Sequence, residues 1–259
     1  MSEENNIIHI TKLKVSVIKE VRVILNGIDF KCNQSEILII LGKNGTGKTT
    51  LALSLTRLLN PNTFSIEGKI FVKNQNLLEV DEKSLLEIRR QNIGYILQNP
   101  FSAFNPVYRI KNQLEEISKL KNIPFENFIQ LMNELDLVNH NQILYKYPFE
   151  LSGGMLQRLS AIRVLASNPE LIIADEPTSA LDKPISNQLI SLLTDYVKTR
   201  KAALIFITQD FSIAERFGNK VLFLTNGKLI PSSMKDEFTE NTNNFEIDLL
   251  LNSYKQLKL

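Results

Sequence analysis

A glycine-rich segment between an apolar run and a helical pattern constrains the fold more than any other part of the sequence. The apolar run, Ile37–Leu41, predicts a buried parallel strand. Beyond the segment, leucines recur at helical spacing from Leu51 to Leu59, and Asn60-Pro61 ends that pattern. The glycines therefore lie in a strand-to-helix turn. The segment consists of Gly42, Lys43, Asn44, Gly45, Thr46, Gly47, Lys48 and Thr49, and Thr50 follows it.

This G-x-x-x-x-G-K-[ST] pattern predicts a phosphate-binding loop. Glycines let backbone N–H groups curl around an anion, and the helix N-terminus adds partial positive charge. Lys48 would reach the β- and γ-phosphates, and Thr49 would offer its hydroxyl to Mg²⁺. A glycine-rich turn that matches by chance is the alternative, but a chance match would not bring the strand and the helix with it. We therefore expect the chain to bind a nucleoside triphosphate.

Length and composition limit the classes of protein to be considered. A chain of 259 residues can form one large α/β domain with an inserted subdomain. No apolar run approaches the roughly 20 residues of a membrane helix, and the polar start does not predict a signal peptide, so export is not expected. The net charge of +2 does not predict nucleic acid as a partner. The single cysteine, Cys32, is expected to be buried in a strand, and His9 and His140 are expected at the surface.

The order of predicted strands and helices indicates an α/β fold with a P-loop NTPase core. Residues 7–41 predict several strands with a turn at Asn26-Gly27, and with a strand at 65–72 they indicate an antiparallel β subdomain. Helical periodicity broken by prolines predicts an inserted helical subdomain at about residues 99–167. We expect an ATPase domain over residues 1–235. A tail over 236–259 would contain at most a short helix.

Two acidic residues follow a second buried strand at residues 171–174. Asp175 would hold Mg²⁺ beside Thr49, and Glu176 would orient or deprotonate an attacking water. Such a pair often does no more than cap the next helix. Its position after a phosphate loop and a four-residue apolar strand favours the catalytic interpretation.

At this point the sequence resembles a known family. Residues 151–158, Leu-Ser-Gly-Gly-Met-Leu-Gln-Arg, look like the signature sequence of ABC-type ATPases. Gln98 matches the Q-loop glutamine of that family, and residues 179–182 match its D-loop. The resemblance extends from about residue 8 to 230 and implies that Gln98 lies near the γ-phosphate and the metal, with both a catalytic and a metal-binding role.

The resemblance also implies that the nucleotide site is shared between two subunits. Ser152, Gly153 and Gly154 predict a second anion site at a helix N-terminus. In the family, two subunits meet head to tail and each signature contacts the γ-phosphate held by the other. A plain helix cap at Ser152 is the alternative interpretation.

Finer similarity indicates a branch of the family. Residues 98–106 are similar to the Q-loop extension of peptide/nickel importers, although Phe101 and Phe104 would also suit an ordinary core. Members take up oligopeptides, nickel or metal chelates with two ATPase subunits, two permeases and an extracellular binding protein, which implies a peripheral place on the cytoplasmic face of the membrane. The sequence leaves open the cargo and whether the second ATPase is a copy or a different chain. A soluble ABC-type ATPase and a nucleotide-binding regulator with degenerate hydrolysis are the alternatives.

The chain departs from the family pattern at two places. Where the family has a switch histidine, this sequence has Gln209, which can hydrogen-bond a γ-phosphate oxygen but cannot carry positive charge. We therefore expect a catalytic contact from Gln209 but slow hydrolysis at this chain's own phosphate loop. Near Val17, many relatives place an aromatic ring on adenine, whereas Val15, Val17 and Ile18 predict only an apolar wall.

Overall fold

The computed structural model describes residues 6–232 as two β-sheets with helices around them. The strands of this range are β1 (Asn6–Val17), β2 (Arg22–Asn33), β3 (Ile37–Leu41), β4 (Phe64–Val72), β5 (Gln75–Asn76), β6 (Ile93–Ile96), β7 (Leu171–Asp175), β8 (Ala203–Thr208), β9 (Lys220–Thr225) and β10 (Lys228–Ser232). Its α-helices are α1 (Lys48–Leu55), α2 (Glu82–Asn92), α3 (Ile110–Lys121), α4 (Glu126–Glu134), α5 (His140–Leu144), α6 (Gly153–Ala166), α7 (Lys183–Arg200) and α8 (Phe211–Phe217).

The larger sheet has the order β10-β9-β3-β8-β7-β6, and its strands run parallel except for β10. Every residue of β3, β7 and β8 is buried, as expected of parallel strands covered on both faces. The smaller, antiparallel sheet has the order β2-β1-β4-β5. The predicted P-loop NTPase core with an antiparallel β part is therefore confirmed.

Two hydrophobic cores pack against opposite faces of the larger sheet. One joins side chains of β3 such as Leu38 and Ile40 to the antiparallel sheet, α1 and α2. The other joins Ile39 and Leu41 to α6, α7 and the helices that precede α6. Alternate side chains of β3 therefore pack into the two hydrophobic cores. The loop that follows β3 lies between those cores.

The prediction of a turn at Asn26-Gly27 is wrong. Both residues lie inside β2, and β1 and β2 are two long strands joined by a turn at residues 18–21. Gly27 has φ +70° and accompanies a register shift in the pairing of the two strands, so its left-handed conformation serves a bulge. The backbone N–H of Lys12, at the adjacent register shift between Ile10 and Leu13 of β1, donates to Asp29 Oδ1 over 2.9 Å.

The first helix is shorter than the leucine spacing predicts. It ends at Leu55, and Arg57 follows in the left-handed conformation with φ +53°. The N–H of Leu58 donates to Leu53 O and the N–H of Arg57 to Ser54 O, which is the hydrogen-bond pattern of a Schellman cap. Leu58 therefore leaves the helix and stands 48% exposed.

The segment after β6 is helical, as its periodicity predicts. A short 3₁₀ helix at Pro100–Ala103 leads into α3, α4 and α5, and a second one at Pro148–Glu150 precedes α6. The side chain of Ser152 accepts a hydrogen bond from Met155 N and so caps α6. The predicted tail, 236–259, lies outside the described residues.

Three isolated predictions can be compared with the structure. Cys32 is fully buried near the end of β2, and burial raises the pKa of its thiol well above the ordinary range. His9 is exposed, as expected. His140 is half-buried, so the prediction of a surface position holds in part, and within the described part of the chain its buried Nε2 makes no hydrogen bond. None of the helices within residues 6–232 is long and apolar enough to cross a bilayer.

Candidate nucleotide-binding site

An open cavity of about 880 Å³ lies at the carboxyl end of β3. The phosphate loop and the start of α1, residues 43–50, form its floor, and Gln98 and Glu176 also line it. Residues 22–24 of β2 and residues 224–227, at the end of β9 and in the turn to β10, form a further wall of the cavity. The cavity is therefore lined both by the phosphate loop and by residues of β2 and β9 outside that loop.

The loop after β3 holds Lys48 inward. Its side chain is 7% exposed, and Nζ donates to the carbonyl oxygens of Gly42 over 2.9 Å and Lys43 over 3.1 Å. Gly47, the N-cap of α1, has φ +100°. A Cβ on Gly47 would lie 3.1 Å from Ile24 Cγ2, so only glycine suits this turn against β2.

Glu176 forms an ion pair with Lys48 at the same place. The distance from Glu176 Oε1 to Lys48 Nζ is 3.4 Å, and the hydroxyl of Thr208 donates to Oε2 over 3.3 Å. Glu176 has φ +46°, a strained left-handed conformation that the N–H donated to Ile207 O helps to hold. Burial raises the pKa of Glu176, and the nearby Lys48 ammonium opposes that rise.

Asp175 ends β7 in full burial beside the start of α1. Burial raises the pKa of Asp175, while the Thr49 hydroxyl, the Lys48 charge and the Tyr95 hydroxyl act in the opposite direction. These groups lie close to it, but within the described residues neither carboxylate oxygen makes a hydrogen bond of normal geometry. A buried carboxylate with oxygens to spare is a ligand that suits a cation.

Thr49 and Gln98 complete a set of oxygen atoms next to that carboxylate. The hydroxyl of Thr49 donates to Gln98 Oε1 over 3.3 Å, although the two residues are 49 positions apart. Mg²⁺ prefers oxygen ligands and keeps several waters, so Thr49, Gln98 and Asp175 fit the metal that the sequence predicts. Sequence reasoning missed Tyr95, whose position in the strand just before Gln98 was its only signal.

The predicted signature residues lie elsewhere on the chain. Ser152, Gly153 and Gly154 begin α6 next to the predicted D-loop, and a Cβ on Gly154 would lie 3.2 Å from Ala180 O. None of the three lines the cavity of the phosphate loop. The structure thus brings together the loop, Gln98, Asp175 and Glu176, and leaves the signature apart from them.

Two further predictions on the cavity have different outcomes. Gln209 follows β8 and is exposed, but it does not line the cavity. The expectation that Val15, Val17 and Ile18 form the wall is wrong, because none of the three lines the cavity and Val15 is fully buried in the core. Arg22, Val23 and Ile24 form the wall instead. The pairing of β1 with β2 is irregular, and periodicity does not reveal which residues of β2 face the phosphate loop.

Residues 25–179 match the sequence profile of the ABC transporter family. This chain belongs to that family. It is 33% identical over 219 residues to the oligopeptide transport ATP-binding protein OppD of Lactococcus lactis, a match that covers 83% of this chain and 65% of that protein. The chain thus spans just under two thirds of the length of that relative.

In two other comparisons the matched region is a larger share of the other protein's length. The metal-staphylopine import system ATP-binding protein CntD of Staphylococcus aureus is 30% identical over 239 residues, which is 90% of this chain and 88% of CntD. The dimeric structure of MJ0796, a bacterial ABC transporter cassette, superposes with a TM-score of 0.74 at 25% identity and covers 86% of this chain and 96% of MJ0796. The motif-based recognition of a peptide/nickel importer ATP-binding subunit is confirmed at the level of the family.

Proposed function

We propose that the chain is the ATP-hydrolysing subunit of an ABC importer that powers uptake of oligopeptides or of nickel and other metal chelates. The observation that carries this proposal is the convergence of Lys48, Glu176 and Asp175 with the Thr49–Gln98 contact at one end of the cavity. The similarity to OppD, an oligopeptide transport ATP-binding protein, and to CntD, the ATP-binding protein of a metal-staphylopine import system, supports the two classes of cargo.

Binding of a triphosphate would change the partners of Lys48. Its ammonium now faces Glu176 at 3.4 Å, and phosphate oxygens carry more negative charge than one carboxylate, so they would compete for Lys48. Glu176 would then be released to accept a hydrogen bond from a water. When bound near Thr49, Gln98 and Asp175, Mg²⁺ supplies positive charge that neutralises the phosphate oxygens.

Glu176 is suited to the role of general base. Burial raises its pKa, and a carboxylate with a raised pKa accepts a proton from water more readily. The left-handed conformation at Glu176 and the hydroxyl of Thr208 fix the carboxylate at the carboxyl end of β7. Removal of this group should therefore abolish hydrolysis without loss of nucleotide binding.

A second subunit would complete the site. Ser152, Gly153 and Gly154 lie outside this chain's own cavity, so a head-to-tail partner is needed for them to reach a γ-phosphate. The dimeric form of MJ0796 supports such an arrangement. We infer a second ATPase subunit, two permeases at the cytoplasmic face of the membrane, and an extracellular binding protein that delivers the cargo.

Gln209 would make the two sites of such a dimer unequal. An exposed amide at the end of β8 can approach a γ-phosphate oxygen after closure, but it provides no positive charge. The site on this chain's phosphate loop would then hydrolyse slowly. The partner's site, completed by this chain's signature, would supply most of the turnover.

The test is ATP hydrolysis by the chain together with its genomic neighbours. Co-purification with a second ATPase and two permeases, and transport that stops with Glu176→Gln, would support the importer. ATP hydrolysis without any membrane partner would indicate a soluble ATPase instead. Nucleotide binding without hydrolysis in every combination would indicate a regulator. If Glu176→Gln abolishes as much activity as the matching change in a different partner, the two sites are equal and the asymmetry is refuted.

A further inference from the structure

Helix α6 is attached at several points to the stretch of chain that contains Gln98. Near its C-terminal end, Val164 packs against β6 so closely that a Cβ on Gly94 would lie 2.4 Å from Val164 Cγ1. The preceding residue, the partly buried Arg163, donates to Ala103 O, and its Cζ lies 5.3 Å from the centre of the Phe104 ring. These contacts fix the chain before Gln98, at Gly94, and after it, at residues 103 and 104.

Among these contacts of α6, the one made by Gln157 lies nearest to Gln98 along the chain. Its side chain is fully buried, and Nε2 donates to Leu97 O over 3.3 Å. The acceptor belongs to the peptide group that joins Leu97 to Gln98. Because that group is planar, a fixed carbonyl oxygen also fixes the direction in which residue 98 leaves the strand.

The other side of the same peptide leads to the nucleotide site. The side chain of Gln98 accepts the hydroxyl hydrogen of Thr49, and Asp175 lies beside Thr49. A buried donor on α6 is therefore connected to the oxygen atoms that fit Mg²⁺ through one peptide group and one side chain. The connection reaches the phosphate loop at Thr49.

We propose that Gln157 is a positioning residue that holds Gln98 at the Mg²⁺ site of this chain's own phosphate loop. The inference rests on the proposed function, because it concerns the same nucleotide and metal. Gln157 would thus act on the nucleotide site of its own chain's phosphate loop. Ser152, which lies in the same signature stretch, would act on the partner's site, as proposed above.

The neighbouring residue Ser160 separates this role from simple packing. Ser160 is also fully buried on α6, one turn beyond Gln157, and within the described residues its Oγ makes no hydrogen bond. A change there perturbs the same helix face without touching the peptide before Gln98. Ser160→Ala is therefore the matched control.

The experiment measures binding of the non-hydrolysable analogue AMP-PNP to the purified full chain, with Mg²⁺ and with EDTA. Gln157→Met keeps the length of the side chain but removes the donor. We expect it to weaken binding with Mg²⁺ by about fivefold, the value of one hydrogen bond, and to leave binding in EDTA unchanged. Ser160→Ala should change binding neither with Mg²⁺ nor in EDTA. Gln98→Ala removes the side chain through which Gln157 acts, so its loss of Mg²⁺-dependent binding is the upper limit for Gln157→Met.

A double-mutant cycle decides between positioning and general damage. If Gln157 acts through Gln98, then Gln157→Met should have no further effect on Mg²⁺-dependent binding in the Gln98→Ala background. Gln157→Leu repeats the cycle in case the methionine variant does not fold, and urea unfolding of each variant monitors folding.

The outcomes separate this inference from the proposed function. Equal weakening with Mg²⁺ and in EDTA, a full effect in the Gln98→Ala background, or no effect at all would overturn the role of Gln157 alone. Failure of the unchanged chain to bind AMP-PNP would overturn both the role of Gln157 and the proposed function.

Discussion

Replacement of Asp175 by asparagine should stabilise the chain in the absence of nucleotide. The Asp175 carboxylate is 0% exposed, and burial raises its pKa above the ordinary value of 3.8. The folded chain therefore binds the proton more tightly than the unfolded chain. It follows that ionisation of Asp175 costs stability as the pH rises through the folded-state pKa. A neutral amide of the same shape avoids that cost.

The size of the gain follows from the surroundings of the carboxylate. An unsatisfied buried polar group costs about 1–3 kcal/mol, and a charged group costs more than the neutral amide that would replace it. Attraction to Lys48 returns part of that cost, so we expect Asp175→Asn to raise the free energy of unfolding by about 1–2 kcal/mol at neutral pH. For a chain of this length such a change raises Tm by about 2–8 °C. The gain should shrink as the pH is lowered from the folded-state pKa towards 3.8.

Urea unfolding and thermal melts between pH 5 and 8, without Mg²⁺ or nucleotide, measure the gain. The exposed Asp195 of α7 provides the control, since Asp195→Asn should change stability by less than about 0.5 kcal/mol. Addition of Mg²⁺ with AMP-PNP should raise the Tm of the unchanged chain more than that of Asp175→Asn. If Asp175→Asn is less stable than the unchanged chain at neutral pH, the carboxylate is not a destabilising group and the reasoning is refuted.

Three further changes test other parts of the structure. Gly94→Ala would place a Cβ 2.4 Å from Val164 Cγ1, so we expect a loss of about 1–3 kcal/mol in urea unfolding, and an unchanged midpoint would contradict the packing of α6 on β6. Gln209→His should raise kcat at the site on this chain's own phosphate loop by about tenfold. An unchanged rate would argue that the lack of a positive charge at residue 209 is not the cause of slow turnover. Arg22→Ala removes the guanidinium of the cavity wall, which we expect to contact the adenine base. The change should weaken binding of ATP by about two- to fivefold but leave binding of tripolyphosphate unchanged. Equal weakening of both would show that Arg22 acts on phosphate rather than on the base.

Local signals predicted local structure well. The phosphate loop between β3 and α1 and the cap at Ser152 follow from the chemistry of a few adjacent residues. An Asn-Gly pair also forms the turn between β9 and β10, at Asn226-Gly227. The same Asn-Gly signal failed at Asn26-Gly27, because pairing of β1 with β2 uses the left-handed glycine as a bulge inside a longer strand. Tertiary pairing decided between two uses of one dipeptide.

The sequence predicted which residues would form the site, but not which of them would contact one another. The position of Asp175 and Glu176 after an apolar strand, and of Gln98 after another, indicated the right edge of the sheet. No periodicity indicated that Gln98 would meet Thr49, or that Gln157 would reach the peptide before Gln98, because these contacts depend on how β6, α1 and α6 pack. The cavity wall at Arg22 was missed for the same reason.

The buried cysteine of β2 makes the chain a convenient starting point for spectroscopic labelling. Cys32 is the single cysteine of the sequence, and burial both shields it and raises the pKa of its thiol, so it should react slowly with maleimide and methanethiosulfonate reagents. Ser179→Cys would place one reactive thiol on the exposed segment beside the signature. A spin label there would report on the approach of two subunits without prior removal of the native thiol.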